Sequence, residues 1–556
     1  MLFRSEFRAD AVPVVRAKHP KYIEWLCNEF RSPKVAVVGL ILAFLFFHVV
    51  LAATLGLGVD ETYGIGVSHD LKLSYFDHPP LNYWITHFFI PFLGDGRALR
   101  LPFIVFFAAT TWTLFLLTRQ LFGPTAGLWA VLALNLSAFF TLAGGWVLPD
   151  GPLMLCLLAA AYTISRSQFP DREPPSPWFT WIVAGFWIGL AGLSKYHAAL
   201  FVAGLFIYIV SSPKRRRILI HPAPWVGAVF TLVIILPVII WNAQHDWVSF
   251  AFQGARATGH GFPKVGQFLA NLGGQMLWMF PWIFVPMVMA TYKALRLGSH
   301  AERTWYCLCL AIPTIFLFTI IPLWADRGLP HWQMPGWLML YPVLGEYLAS
   351  ESVMRTRPRT WAITSTVLLL VLAFLVVGHA ATGYGRLLFP AAFAKGDPTL
   401  ESLEWAPLRE ELQKRGLLEK KELFVISGSP IDIGKIDQAL ADSIPMQVYG
   451  ESKQYGFRYD PKLLVGRDAL IIGRRDRMDG IDRSLAPYFD SITELPSFLF
   501  GRSAMREVDV RILYGNHLKH PLPRDANLAR FQSSRCSPEV ACAGQQHEQE
   551  ISYPRK

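Results

Sequence analysis

Long apolar runs broken by short polar clusters fill the chain up to about residue 380. Val35–Leu57, Ala98–Thr118, Trp225–Ile240 and Thr360–Val377 approach or exceed the length that crosses about 30 Å of hydrocarbon. Lipid offers no hydrogen-bond partner to a bare amide, so each span must be a helix. The pattern predicts about eleven spans, near residues 35–57, 98–118, 122–143, 151–166, 178–193, 197–211, 224–241, 272–293, 304–324, 335–349 and 360–379. Past residue 380 no stretch could cross, and charges become frequent. There Leu400–Leu417 reads as an amphipathic helix, and Leu423–Ile426, Ala469–Ile472 and Val508–Leu513 as short strands. The expected fold is an α-helical polytopic membrane protein with a small C-terminal α/β domain. Its parts are an inner N-terminal segment (1–34), a membrane domain (35–379) and an outer domain (380–556) with a polar tail from about Pro521. The first outer loop, 58–97, is long, and Leu71–Phe76 and Leu81–Phe92 suit helices lying in the membrane interface.

Composition adds that the chain cannot be a soluble domain. Of its residues 53% are hydrophobic and 17% charged, and mean hydropathy is +0.32. Polar surface could not cover so apolar a chain. The net charge is +11, and its placement sets an orientation. With the N-terminus inside, inner segments carry about twenty Lys and Arg, Lys214, Arg215, Arg216 and Arg217 among them, against about six in outer loops. An odd number of crossings then places the C-terminal domain outside. The basic runs read as topology determinants and contacts to anionic lipid of the bilayer. Nucleic acid is not an expected partner, because Lys214–Arg217 is short, abuts a span and lacks interleaved aromatics. Residues 1–34 carry acidic groups and an early proline without a small-residue cleavage site, so no removable signal peptide is expected. Cys27, Cys156, Cys307 and Cys309 read as packing residues. Cys536 and Cys542, in the outer tail, allow either a disulfide or two free thiols.

Under this topology the notable polar motifs all fall outside. Asp60-Glu61 closes the first span, where an acidic pair needs water, a cation or a partner. Asp60 and Glu61 are thus candidates for a general base or a metal ligand. Asp77-His78-Pro79-Pro80 presents a carboxylate and an imidazole in a direction set by two prolines. Asp150 opens the fourth span as a helix cap or a substrate contact. Lys195, followed by Tyr196 and His197, sits where a cation needs an anion. Phosphate is a natural partner, with snorkelling the alternative. Trp241-Asn242-Ala243-Gln244-His245-Asp246-Trp247 mixes rings and polar groups able to stack on sugars and bond hydroxyls, with Asn242 and His245 as candidate contacts. Arg327 and His331 can hold an anionic leaving group, or serve only as rim residues. There is no P-loop, GxSxG, HExxH or zinc-spaced His/Cys cluster. Acids, a Lys, an Arg and several His on one face suit moving a group off a phosphate: a carboxylate takes the acceptor's proton and cations stabilise the departing phosphate. A divalent cation is a candidate cofactor, with Asp60, His78 and Asp150 as its candidate ligands.

Asp60-Glu61 at the end of the first span, followed by Tyr75-Phe76-Asp77-His78-Pro79-Pro80-Leu81, resembles glycosyltransferase family 39. This is the bacterial branch of the protein O-mannosyltransferase group, with relatives that include the lipid A aminoarabinose transferase. Leu148-Pro149-Asp150-Gly151-Pro152-Leu153, Gly192-Leu193-Ser194-Lys195-Tyr196, Trp241–His245 with Ser249-Phe250, and Pro330-His331-Trp332 with Pro335-Gly336 are similar to later landmarks. The resemblance implies a GT-C membrane domain, a sugar donor linked to polyprenyl phosphate, and inversion at the anomeric carbon. It implies Asp60 as the base, Lys195 as a phosphate ligand, and Asp77, His78 and Asp150 near the donor sugar or a metal. The family's Tyr-Trp pattern after the first acids is here Tyr63-Gly64-Ile65-Gly66, which leaves sugar and acceptor open.

The expected activity is transfer of a sugar to lipid A, core sugar, another lipid or a protein hydroxyl at the periplasmic face of a bacterial inner membrane. The alternative is a transporter or flippase for a lipid-linked sugar. Such proteins keep ionisable residues near the midplane and show inverted repeats. Here the charges gather at span ends and no repeated halves are visible.

Overall fold

The computed structural model describes residues 32–522 except 259–262, 326–327, 351–357, 395, 421, 442, 452 and 503–506. Ser32 caps the first helix, Pro33–Thr54, its Oγ accepting the Val35 N–H at 3.3 Å, with Pro33 in the first turn. Among the described residues, six helices are long and apolar enough to cross a membrane: Pro33–Thr54, Arg97–Phe122, Pro177–Ser194, Pro222–Gln244, Glu302–Leu323 and Thr360–Thr382. The other predicted spans are helical too, but shorter, less apolar or broken. Pro124–Asn135 and Ala138–Ala143 divide one of them. Val265–Met279 meets the helix that follows at 108°, because Phe280 has φ 64° and Pro281 comes next. Met334–Leu338 and Tyr341–Ala349 divide a third. Asp150–Gln168 packs between the Arg100–Phe122 and Pro177–Ser194 helices and is buried along most of its length. A helix surrounded by protein needs no continuous lipid-facing surface. Pro33–Thr54 and Pro358–Thr382, by contrast, expose Leu42, Phe46, Val367 and Phe374, as lipid contact requires.

The C-terminal domain is built on a five-stranded sheet of order β2-β1-β3-β5-β4. The strands are β1 Leu423–Ser427, β2 Met446–Val448, β3 Asp468–Arg474, β4 Phe489–Phe500 and β5 Val508–Leu518. β1 pairs in parallel with β2 and β3, while β5 runs antiparallel to β3 and β4. Central β1 is buried along its whole length, hence its unbroken apolar run. Sequence reading missed β2, which is too short to stand out, and β4, which contains Pro496. That proline sits at the register shift between Leu495 and Phe498 on an edge strand, where a missing N–H is tolerated. The amphipathic helix is Ala406–Lys414, preceded by a separate 3-10 turn at Pro398–Ser402.

The first outer loop carries two helices, Val59–Ser68 and Leu81–Leu93. Leu71–Phe76, expected to be helical, is an irregular turn in which the Tyr75 hydroxyl bonds Asp70 O at 2.8 Å and accepts the Lys72 N–H at 3.2 Å. The Ile433–Leu440 helix of the C-terminal domain packs directly on Val59–Ser68. A Cβ on Gly434 would lie 2.2 Å from Tyr63 N, and one on Gly66 would lie 2.4 Å from the Asp437 carboxylate. Gly66 of Tyr63-Gly64-Ile65-Gly66 therefore admits a second domain, whereas Gly64 faces Asn82, Tyr83 and Val147. Tyr63, Val67, Tyr75 and Tyr83 share one core with Val425, Ile433, Ile436 and Tyr455.

Gly434→Ala is expected to destabilise the protein by about 1–3 kcal/mol through overpacking. Gly254→Ala, in the Val248–Arg256 helix, meets open space and is expected to be neutral or stabilising by up to about 1 kcal/mol. Thermal unfolding of the purified protein in detergent, with both variants side by side, measures the contrast.

Candidate active site

Glu61 is 1% exposed and Arg100 2%. The Arg100 guanidinium grips both Glu61 oxygens, at 2.8 and 2.5 Å, and gives its remaining N–H groups to the carbonyls of Ala52, Leu55 and Gly56. Glu61 also accepts the N–H groups of Gly58 at 2.8 Å and Val147 at 3.1 Å. This closed network satisfies a buried pair that would otherwise be costly. It ties the Val59–Ser68 helix to the bundle and commits Glu61 to structure.

Asp60, on the same turn, is exposed and accepts no hydrogen bond among the described residues. Its pKa is raised above the usual aspartate value. The protein crowding the carboxylate is the main cause, Asp77, Glu401 and Glu61 add to it, and Lys453 opposes it.

Asp77 is buried, and its Oδ1 accepts the hydroxyls of Tyr63 at 3.3 Å and Tyr83 at 3.2 Å. Burial and the Asp77 charge raise the pKa of both phenols, so both remain donors. The turn around Asp77 is held from two sides. Gln253 bonds Asp77 O at 2.5 Å and Ser249 bonds Tyr75 O at 2.9 Å, both from the Val248–Arg256 helix. From the C-terminal domain, Gln454 Oε1 accepts the Phe76 N–H at 2.8 Å.

The next residue turns to a cationic region. Burial lowers the His78 pKa to about 4, with Lys195 and Arg256 acting in the same direction against Asp77 and Asp150. His331 is also lowered to about 4 by burial, again with Lys195 and Arg256 nearby. Both imidazoles are neutral at neutral pH. Lys195 Nζ contacts both Asp150 oxygens, at 2.9 and 3.0 Å, and Ser194 Oγ bonds Pro149 O at 2.6 Å, joining the two helix ends. The anion Lys195 meets within the protein is thus Asp150. Arg256 lies over the rings of Phe252 at 5.0 Å and Trp332 at 5.4 Å. His78 Nδ1, Tyr196 Oη and His197 Nε2 are buried without a hydrogen-bond partner. Such groups normally have one, so these are atoms that a polar ligand would satisfy.

Asp60, Asp77, His78, Asp150, Lys195, Tyr196 and His331 thus form one continuous region. Asn242 borders this region beside Tyr196. It is fully buried, donates to Val238 O and accepts the Ser249 N–H, bracing the junction of two helices. His245 stacks on Trp241 with ring centres 4.1 Å apart. It lines a neighbouring cavity of about 310 Å³ with Lys72, Gln244, Gln454 and Phe457. Arg327 lies outside the described residues. Among the described residues no three His, Cys, Asp or Glu side chains form a metal-holding group. With Asp150 engaged by Lys195, the arrangement of Asp60, His78 and Asp150 does not fit a divalent cation.

Sequence reading passed over Arg100, Tyr63, Tyr83, Lys453 and Gln454 as site residues. Arg100 carried a signal, since an arginine at a span end demands a partner. Gln454 carried none: 378 positions separate it from Phe76.

Residues 77–241 match the family model for dolichyl-phosphate-mannose-protein mannosyltransferase. The fold is similar to that of ArnT from Cupriavidus metallidurans bound to undecaprenyl phosphate, with a TM-score of 0.58 and 18% identity over 86% of this chain and 97% of that one. The apo form of the same protein gives a TM-score of 0.57 and 16% identity over 89% and 98%. No curated protein matches at a significant level. Helical membrane bundle, outer-loop helices and C-terminal sheet together give the chain a polytopic GT-C fold. The matched segment, residues 77–241, holds the Asp77-His78, Asp150 and Lys195 motifs whose pattern is similar to glycosyltransferase family 39.

Removing one partner of the buried pair, as in Arg100→Leu or Glu61→Gln, is expected to cost about 3–5 kcal/mol. The double variant Glu61→Leu/Arg100→Met is expected to regain much of that loss, because no buried charge is left alone. Thermal unfolding of the three variants gives the comparison.

Proposed function

We propose that this protein moves a sugar from a polyprenyl-phosphate donor to a hydroxyl on an envelope glycolipid or protein, at the periplasmic face of a bacterial inner membrane and with inversion. The observation that carries this reading is the unequal state of the site's carboxylates. Glu61 and Asp150 are in ion pairs and Asp77 is held by two tyrosines, whereas Asp60 is exposed and unbonded. A general base must be reachable, and a raised pKa makes a carboxylate more basic; Asp60 is exposed and its pKa is raised. The acceptor oxygen attacks the anomeric carbon while its proton passes to Asp60. The bond from that carbon to the phosphate oxygen breaks, and its electron pair leaves with the polyprenyl phosphate. Lys195 and Arg256 supply positive charge for the leaving phosphate, and neutral His78 and His331 offer ring N–H groups without adding charge. Lys195 then divides its charge between Asp150 and the phosphate. Glu61 acts by holding the helix that presents Asp60. The family match over residues 77–241 supports a lipid-phosphate sugar donor, and the likeness to a protein that binds undecaprenyl phosphate supports a polyprenyl carrier. The excess of Lys and Arg on the opposite segments supports the periplasmic placement.

Mass spectrometry of envelope glycolipids with and without the protein identifies the transferred sugar. With that donor, Asp60→Asn is expected to lower kcat at least about 100-fold while the protein stays folded in the membrane. The wild-type rate is expected to fall as pH drops through the Asp60 pKa, with the acid limb above the usual aspartate value. Full turnover by Asp60→Asn would exclude Asp60 as the base.

A further inference from the structure

Residues 453–458 of the C-terminal domain form one wall of the site. Gln454 donates its N–H to the Tyr63 hydroxyl at 3.2 Å, besides accepting the Phe76 N–H. Tyr455 bonds Asp437 at 2.5 Å, and Arg458 bridges Asp437 at 3.1 Å and Asp70 at 3.0 Å. Phe457 lies against Phe76 and Trp241, with ring centres 5.9 and 5.8 Å apart. The segment is thereby fixed to the membrane domain on both sides of the Asp77 turn. Lys453 begins it with φ 45°, a left-handed conformation that non-glycine residues adopt at a cost and keep where the surroundings impose it. Its ammonium lies 5.1 Å from the centre of the Tyr63 ring, whose hydroxyl bonds Asp77. Tyr63 lies one turn along the same short helix from Asp60, and the charges acting on Asp60 are those of Lys453 from this segment, Asp77 from the turn, Glu401 from the Pro398–Ser402 turn and Glu61 from its own helix. Lys453 is the cation among them.

We propose that Lys453 is a positioning residue for the transfer reaction, delivered by the C-terminal domain to keep Asp60 charged among its acidic neighbours. The site is complete only while that domain is seated on the Val59–Ser68 helix. Acting through Asp60, Lys453 need not touch the substrate. The proposal rests on the reading of Asp60 as the base, and its test separates the two.

Full-length protein in lipid nanodiscs is treated with a carbodiimide and an amine across a pH series, and modification of Asp60 is quantified by peptide mass spectrometry. The reagent reports the protonated carboxyl and needs no turnover. In Lys453→Gln the midpoint of modification is expected to rise by about half a pH unit or more, because a nearby positive charge has been lost. Lys453→Arg is expected to keep the wild-type midpoint. The acid limb of kcat/KM is expected to move upward with the label, with donor KM little changed. An unchanged midpoint in Lys453→Gln overturns the proposal, with the Arg variant establishing that the domain is seated. A shifted midpoint with an unmoved acid limb leaves the link between Lys453 and Asp60 but overturns its role in the reaction, along with the reading of Asp60 as base.

Discussion

A buried arginine at the end of a membrane span must be neutralised, and Arg100 is neutralised by Glu61. Much of the site's geometry follows from that pair. Val59–Ser68 is only ten residues long, too short to hold a helix by its own hydrogen bonds. It persists because Glu61 binds it to the bundle on one side while Gly66 and Gly434 let the C-terminal domain close on the other. With Glu61 turned inward, its neighbour Asp60 is left facing outward. One acid of the pair is thereby buried in an ion pair and the other exposed, a difference created by the fold.

The cationic half of the site obeys a related constraint. Burial keeps His78 and His331 uncharged beside Lys195 and Arg256. Four positive charges in so small a space would repel one another and carry a large desolvation cost. Neutral imidazoles remove that conflict and still leave polar hydrogen-bonding atoms, among them the unpartnered His78 Nδ1. An arriving phosphate would meet charge from Lys195 and Arg256 and hydrogen bonds from the rings. Asp150 holds Lys195 in place until then.

What the sequence made legible was set by periodicity and by cost. Every predicted span is helical because a long apolar run permits little else, and the three predicted strands lie in the sheet for the same reason. Asp77-His78, Asp150 and Lys195 stood out because charge at a membrane boundary needs a cause. The finer assignments depend on contacts that spacing does not encode. Asp60 and Glu61 look alike in sequence, and Arg100 alone separates them. Asn242 reads as a sugar contact in sequence, and its bracing of a helix junction shows only in the fold. Gly66 looks like missing bulk, while the structure places a helix from another domain against it. Lys453 and Gln454 lie in an unremarkable polar stretch, and only the docking of the sheet domain brings them to the first loop.

The most direct test concerns sidedness, since one compartment must contain the acid, its helpers and the C-terminal domain. Single cysteines are placed at positions 60, 453 and 214 after replacement of the six natural cysteines, and sealed vesicles of both orientations are treated with a membrane-impermeant maleimide. Lys214 is 83% exposed in its side chain, so its position reports the opposite surface. Labelling of 60 and 453 from one compartment and of 214 from the other is the expected result. Labelling of 60 and 453 from opposite compartments would contradict a site shared by the two domains.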